Sequence, residues 1–253
     1  MISARRLSLA FFLVAALAAN GWAAQNETER IHKVVPLQPG GTLKLDTFSG
    51  RVVITASDAP EVVIDAVRRA PRERLDRIKL DIETSGSTVR IQANKRDPAW
   101  FNLKNNVVET DFDIKVPRQT ALDISAFSSE VRVTGVNGSH RLHSFSGFVR
   151  LEDVAGAVKA DTFSGGIEIQ LAGSVGQPEL NLETFSGDVD VRVAETARAQ
   201  VDFHSFSGDL NSDLPLTLKS KNGHSLRGEL GGQGVASTSV RVKTFSGNVR
   251  FRK

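Results

Sequence analysis

Apolar and polar residues alternate along most of this chain with a period of two. Ahead of Phe185 the apolar set is Leu180 and Leu182, continued by Thr184, with Asn181 and Glu183 between; beyond it the set is Val189, Val191 and Val193, separated by Asp190 and Arg192. Such alternation marks strands with one buried and one solvated face. The inward register is even-numbered before Phe185 and odd-numbered after it. The intervening Ser186-Gly187 must therefore absorb a bend or bulge, which glycine does with least strain.

The same strand, corner, strand unit returns along the chain. Its corners read Thr47-Phe48-Ser49-Gly50, Ala126-Phe127-Ser128-Ser129, Ser144-Phe145-Ser146-Gly147, Thr162-Phe163-Ser164-Gly165, Thr184-Phe185-Ser186-Gly187, Ser205-Phe206-Ser207-Gly208 and Thr244-Phe245-Ser246-Gly247. Seven copies define an internal repeat. From Phe127 onward the rings are 18, 18, 22, 21 and 39 residues apart, and the last interval divides into 20 and 19 if Ser225-Leu226-Arg227-Gly228 is a degenerate copy, as we read it. Further corners at Val136-Asn137-Gly138 and Val154-Ala155-Gly156 close the other side of each coil. Repeats this short leave no room for crossover helices, so the pattern predicts an all-β fold, a parallel β-solenoid with coils stacked about 4.8 Å apart. A left-handed hexapeptide helix requires multiples of six; the drift in spacing favours a right-handed β-helix.

Residues 31–120 are strand-rich but less periodic. Strands are expected over 62–67, 78–82, 88–93 and 107–116, with a loop or helical turn at Ala70-Pro71-Arg72-Glu73-Arg74. This stretch is expected to cap the N-terminal end of the solenoid, leaving 121–253 as its regular coils. The first residues differ in kind. Arg5 and Arg6 precede an uncharged run from Leu7 to Ala19, and Gly21-Trp22-Ala23 supplies the small residues a signal peptidase reads. That run is shorter than the roughly 20 residues needed to span a bilayer. Residues 1–23 are read as a signal peptide and 24–30 as a short linker, which puts the mature chain, without a transmembrane segment, in the periplasm or at the cell surface.

Composition narrows the function classes. With no cysteine, disulfides, thiolate metal sites and cysteine nucleophiles are all excluded. The formal net charge is +3, and without Arg5 and Arg6 the chain holds 30 basic against 29 acidic residues, a balance that argues against a nucleic-acid partner.

At this point the chain resembles a known family, the bacterial putative adhesins with the domain of unknown function numbered 4097. The resemblance is carried by a strand ending Ile114-Lys115-Val116-Pro117 and by the units Thr184-Phe185-Ser186-Gly187-Asp188-Val189 and Ser205-Phe206-Ser207-Gly208-Asp209-Leu210, within about residues 31–253. It implies an exported β-rich solenoid, and the family name implies adhesion; no catalytic motif comes with it. This chain departs from the pattern in carrying phenylalanine in nearly every copy and in placing Ser129 where the others have glycine.

Several side chains are candidates for chemistry. A nucleophilic serine needs one base beside it, whereas the motif serine recurs with no histidine at a constant offset, so its hydroxyl is expected to satisfy backbone groups at the corner. The phenylalanines should stack, with Phe127, Phe145, Phe163, Phe185 and Phe206 in adjacent coils. Alternation from Thr184 puts Phe185 outside, while the bend could turn it inside; a buried or half-buried column is favoured, because so many exposed rings would form a large apolar stripe. Two residues before each ring, or before Leu226, stand Asp46, Ser125, His143, Asp161, Glu183, His204, His224 and Lys243. In sequence order Glu183, His204 and His224 would fall in one line able to hold a zinc ion, against the plainer expectation of a solvated column of alternating charge. Arg132 and Arg150 should pair with Glu168 and Asp190 across strands. Arg68, Arg69, Arg72, Arg74 and Arg77, interrupted by Glu73 and Asp76, read as a solvated loop. Trp100 and Phe101 are a plug for the first coil or an aromatic contact site.

No cofactor and no catalytic residue is expected. The function these features predict is a structural, adhesive or ligand-presenting role in the cell envelope, toward polysaccharide or protein. One alternative is a polysaccharide-active β-helix enzyme, disfavoured by acids scattered over every coil and by the lack of tyrosine. The other is a self-assembling scaffold in which the final strand, Asn248 to Lys253, offers a free C-terminal edge.

Overall fold

The computed structural model describes residues 26–96, 107–172, 178–231 and 238–253. Its N-terminal part holds β1 (Glu27–Pro36), β2 (Thr42–Ser57), β3 (Glu61–Ala70), α1 (Arg72–Arg77), β4 (Ile78–Ser85), β5 (Thr88–Arg96) and β6 (Glu109–Pro117). Then come β7 (Ala121–Thr134), β8 (His140–Ser146), β9 (Val149–Val154), β10 (Val158–Ser164), β11 (Ile167–Leu171), β12 (Glu179–Ser186) and β13 (Val189–Arg192). The last part holds β14 (Ala199–Ser207), β15 (Leu210–Ser212), β16 (Leu216–Asn222), β17 (Ser225–Leu230), β18 (Thr238–Ser246) and β19 (Val249–Arg252). Residues 1–23, read as a signal peptide, and Trp100 and Phe101 lie outside the described residues. No helix among the described residues is long and apolar enough to cross a membrane.

Strands that precede a Phe-Ser-Gly corner pair with their equivalents, in parallel and in register, giving the order β2, β7, β8, β10, β12, β18, β14. Strands that follow it do the same: β2, β7, β9, β11, β13, β19, β15. β2 and β7 run through the corner without a break and belong to both rows. The expected parity holds, since Leu180, Leu182, Val189 and Val191 are all buried. Both rows turn their apolar sides into one core, and each inward position becomes a column: Leu45, Ile124, Leu142, Ala160, Leu182, Val242 and Phe203 are successive partners. The chain is therefore one large, mostly parallel, solenoid-like sheet system.

The order of coils in space departs from their order in sequence. Thr244 of β18 pairs with Thr184 on one side and Ser205 on the other, and Val249 of β19 likewise lies between Val189 and Leu210. The last coil is thus inserted between the fifth and the one made before it, which corrects the expectation that Phe185 and Phe206 are neighbours. The segment read as a degenerate copy is the cause. Ser225–Leu230 runs antiparallel to β14, with Phe203 opposite Leu226, and forms a hairpin with β16 that covers the far side of β14. Ala199 pairs with Leu230 on one side and Thr238 on the other, so β17 and β18 lie on opposite sides of β14. The C-terminal strand is hydrogen-bonded on both sides, and the free edge expected of it is absent. Among the described residues β16 is the outer strand here; its exposed Lys219 and Lys221 are the sort of charge that discourages edge pairing.

At the other end β5 and β6 extend the two rows in parallel with β2, and β4, β3 and β1 follow antiparallel. The strands expected over 62–67, 78–82 and 88–93 fall within β3, β4 and β5, and the one expected over 107–116 overlaps β6, which begins at Glu109. The arginine cluster is not one solvated loop. Arg68 is only 2% exposed, and its guanidinium donates to the Glu29 carboxylate of β1 and to the Ile78 carbonyl. It ties the outermost strand to the start of β4. Glu29→Ala would leave that buried charge with one partner fewer, and should lower stability by about 1–3 kcal/mol in denaturant unfolding. Glu73→Ala, which removes only an exposed helical pair with Arg77, should change it by less than about 0.5 kcal/mol.

His140, opening β8, is 2% exposed, and its Nε2 lies 3.1 Å from the Val136 carbonyl. Burial pushes its pKa below the ordinary histidine value, against the opposing effect of that carbonyl. Once unfolded it takes up a proton near pH 6.5, while in the folded chain it resists protonation to lower pH. The unfolded state therefore binds more protons in between, and stability is complete above about pH 6.5 and declines as the pH falls below it. Thermal unfolding at pH 7.5 and pH 5 should show a steeper loss for the wild type than for His140→Leu.

Candidate functional site

At each corner the glycine N–H donates to the serine carbonyl of the next coil: Gly147 to Ser164 at 3.2 Å, Gly165 to Ser186 at 3.1 Å, Gly187 to Ser246 at 3.1 Å and Gly247 to Ser207 at 3.2 Å. Glycine is required there chiefly by closeness. A Cβ on Gly165 would stand 1.9 Å from the Gly147 carbonyl oxygen, and one on Gly187 2.2 Å from that of Gly165. Ser129 keeps an ordinary negative φ where Gly50, Gly147, Gly165 and Gly208 have a positive one, so that copy differs in geometry from those four. The motif serines act through their backbone; the side-chain bond expected of them comes instead from the residue before the ring, with Thr162 Oγ1 donating to the Gly165 carbonyl at 2.9 Å.

The bend falls after the ring. Alternation is unbroken from Thr184 to Phe185, so the phenylalanines stand on the outer face, 42% to 61% exposed from Phe127 to Phe245. Of the buried or half-buried column that was expected, full burial is thereby corrected: the rings face outward and keep about half their surface in water. In space the ladder runs Phe48, Phe127, Phe145, Phe163, Phe185, Phe245, Phe206, with centroid steps of 4.5 to 5.0 Å, near-parallel planes and a length of about 29 Å. His224 stacks on the last ring at 5.3 Å. Every interior ring has both faces covered by its neighbours, and the ladder shows solvent a ridge of ring edges.

Shallow grooves follow the ridge. One of about 650 Å³ lies between Phe48, Phe127 and Phe145 and the Gln92, Asn94 and Lys95 side chains of β5. A second, of about 660 Å³, runs from Phe163 to Phe206 beside Asp161, Glu183 and Lys243. The residues two before each ring line this side in the order Asp46, Ser125, His143, Asp161, Glu183, Lys243, His204. Glu183, His204 and His224 are not brought together. Lys243 stands between the first two with its Nζ 2.9 Å from Glu183 Oε1, His204 bonds to Ser225 Oγ at 2.8 Å, and His224 has left the column for Phe206. Among the described residues no group of three acidic or histidine side chains is placed to hold a metal ion. The column does not alternate in charge as expected, since the acids Asp161 and Glu183 stand on neighbouring coils. Burial pushes the Asp161 carboxyl above the usual aspartate range, with Lys159 opposing and Glu183 adding to the rise. On the other row Arg150 meets Glu168 at 2.8 Å as expected, while Arg192 meets Glu168 at 3.1 Å and Arg252 meets Asp190 at 2.8 Å; Arg132, beside Arg150 on the next coil, lies 3.9 Å from Glu130 of its own strand and not against either acid.

A family model described as Toastrack DUF4097 matches residues 120–252. The chain belongs to this family. The Toastrack match covers β7 to β19, the coils that carry six of the seven ladder rings. A structure of a putative cell adhesion protein from Clostridium sporogenes is similar with a TM-score of 0.52 at 10% identity, over 88% of this chain and 99% of that one. The shared fold thus reaches beyond the Toastrack match into the N-terminal strands. A putative lipid binding protein from Parabacteroides distasonis (TM-score 0.36, 11% identity, 91% and 98% covered) and a putative adhesin from Bacteroides fragilis (0.31, 12%, 88% and 97%) superpose less well. Among curated proteins none matches.

The glycine ladder predicts a sharp local sensitivity. Gly165→Ala, in the middle of the Toastrack coils, should destabilise the protein by about 2–4 kcal/mol, because backbone on backbone cannot yield as a side chain can. Ser129→Ala should lie within about 0.5 kcal/mol of the wild type, since the Ser129 hydroxyl is buried without a partner. Denaturant unfolding of the two variants measures the contrast.

Proposed function

We propose that this protein is exported to the cell envelope and works there without catalysis, as a right-handed solenoid scaffold that presents its phenylalanine ladder to a partner. The observation that carries this reading is the exposure of the ladder. Six rings left about half in water offer on the order of 500 Å² of contiguous apolar surface, a patch size that on a soluble protein marks an interaction site.

The geometry favours an apolar partner over a glycan. Sugars stack on the faces of aromatic rings, and here the faces are occupied by neighbouring rings. An enzyme acting on polysaccharide would need a free acid and base in the groove. Among the described residues the neighbouring acids beside the ladder, Asp161 and Glu183, lie with Lys159 4.0 Å from the first and Lys243 2.9 Å from the second. The signal peptide read at residues 1–23 supports export, and the absence of cysteine is compatible with it.

The purified protein is expected to sediment with isolated cell envelopes. Replacing Phe145, Phe163 and Phe185 together by serine should reduce that association at least tenfold while leaving the β-type circular dichroism intact. Equal sedimentation of the folded variant would assign binding to another surface.

A further inference from the structure

The charges beside the ladder follow an order that reverses from end to end. Two outward columns flank the rings, two and four residues before each phenylalanine, and the ladder has β10 at its middle with three coils on either side. Turned end over end about β10, the column sets Lys44 against Asp202 and Asp123 against Arg241. The nearer column sets Asp46 against His204 and His143 against Glu183. The remaining positions pair a charge with a neutral side chain, Ser125 with Lys243 and Arg141 with Asn181. At the middle, on the axis itself, Lys159 and Asp161 would each meet their own copy, and each has the other 4.0 Å away in its own chain as an opposite charge.

We propose that the partner of the ladder is a second copy of this chain, docked face to face with the two ladders antiparallel about a twofold axis beside Phe163. This rests on reading the ladder as a docking surface. An isologous contact requires a patch complementary to itself under rotation, and the charge order supplies that. It also excludes the neighbouring registers. A slip of one coil in one direction sets Lys44 against Arg241 and Arg141 against Lys159; in the other it sets Asp123 against Asp202, Arg141 against Arg241 and Asp161 against Glu183. Like charges outnumber opposite ones in both, the reverse of the balance about β10, which is how an interface disfavours wrong alignments.

The apolar part agrees. With ring faces already stacked, the ridge can bury only its edges, and a second ladder is an apolar surface of the same length and the same repeat. The ladder with its flanking columns brings each copy to about the 800 Å² a stable dimer buries per partner.

Sedimentation equilibrium of the purified protein should show a monomer–dimer equilibrium in the micromolar range. Asp123→Arg and Arg241→Asp should each weaken the dimer at least tenfold, and the double exchange should restore it to within about threefold of the wild type. In one chain these residues stand four coils apart, about 19 Å, so restoration arises only between copies. The cysteine-free sequence allows a second reading: a short bismaleimide should join copies carrying Asp161→Cys, beside the axis, and fail to join copies carrying Asp46→Cys, at the end. A wild type that stays monomeric at high micromolar concentration, a double exchange as weak as the single ones, or equal joining at both positions would each overturn the proposal. Loss of envelope binding by the triple serine variant of a monomeric protein would leave the ladder a docking surface for something else.

Discussion

In-register parallel pairing holds neighbouring coils about 4.8 Å apart, and that spacing governs everything else in the molecule. Each residue choice is repeated down a column, so a leucine inside demands a fitting neighbour one coil away, and a glycine at one corner demands that the next carbonyl be met without a Cβ. The rings take their separation from the backbone and not from any aromatic preference: steps of 4.8 to 5.0 Å along the ladder are strand spacing carried outward by side chains. The same rule extends charges into lines, which is why ion pairs such as Arg150 with Glu168 link neighbouring coils on the solvated side.

Local structure was legible because it depends on local signals. Alternation around Leu180 to Val193 located strands, inward faces and the corner, and the Toastrack match fell on the residues whose repeats suggested it. The ladder's exposure was decided between two opposing signals. Parity placed Phe185 outside, hydrophobicity argued for the interior, and backbone geometry prevailed because the bend lies beyond the ring.

The order of coils was not legible, for a physical reason. Any Thr-Phe-Ser-Gly strand can stack on any other, since all present the same ring, glycine and β-branched neighbours; the repeat that encodes a coil is indifferent to which coil lies beside it. What betrayed the insertion was slight: an interval of 39 residues and Leu226 where a ring should be. The grouping of Glu183, His204 and His224 assumed sequence order and dissolved with it. His224 sits at the turn into an antiparallel strand, where the reversal of direction carries its side chain onto Phe206. Arg68 was missed although parity marks it: it continues the inward set Val62, Ile64 and Ala66 of β3, and its charge was read ahead of its register.

The late arrival of β18 and β19 bears on how such a chain is made. As it emerges from the ribosome, β2 to β13 can add coil upon coil, each finding its bed already laid. β14 to β17 come next, before the coil that lies between β14 and β12 in the finished molecule has been made. Nothing in its Ser205-Phe206-Ser207-Gly208 corner stops β14 from taking the berth beside β12 in the meantime. Once Thr238 onward is available, β18 and β19 have to enter that berth and push the earlier tenant one place outward. The final coil is a late wedge, and the completed rack differs in its neighbours from the one the nascent chain can build.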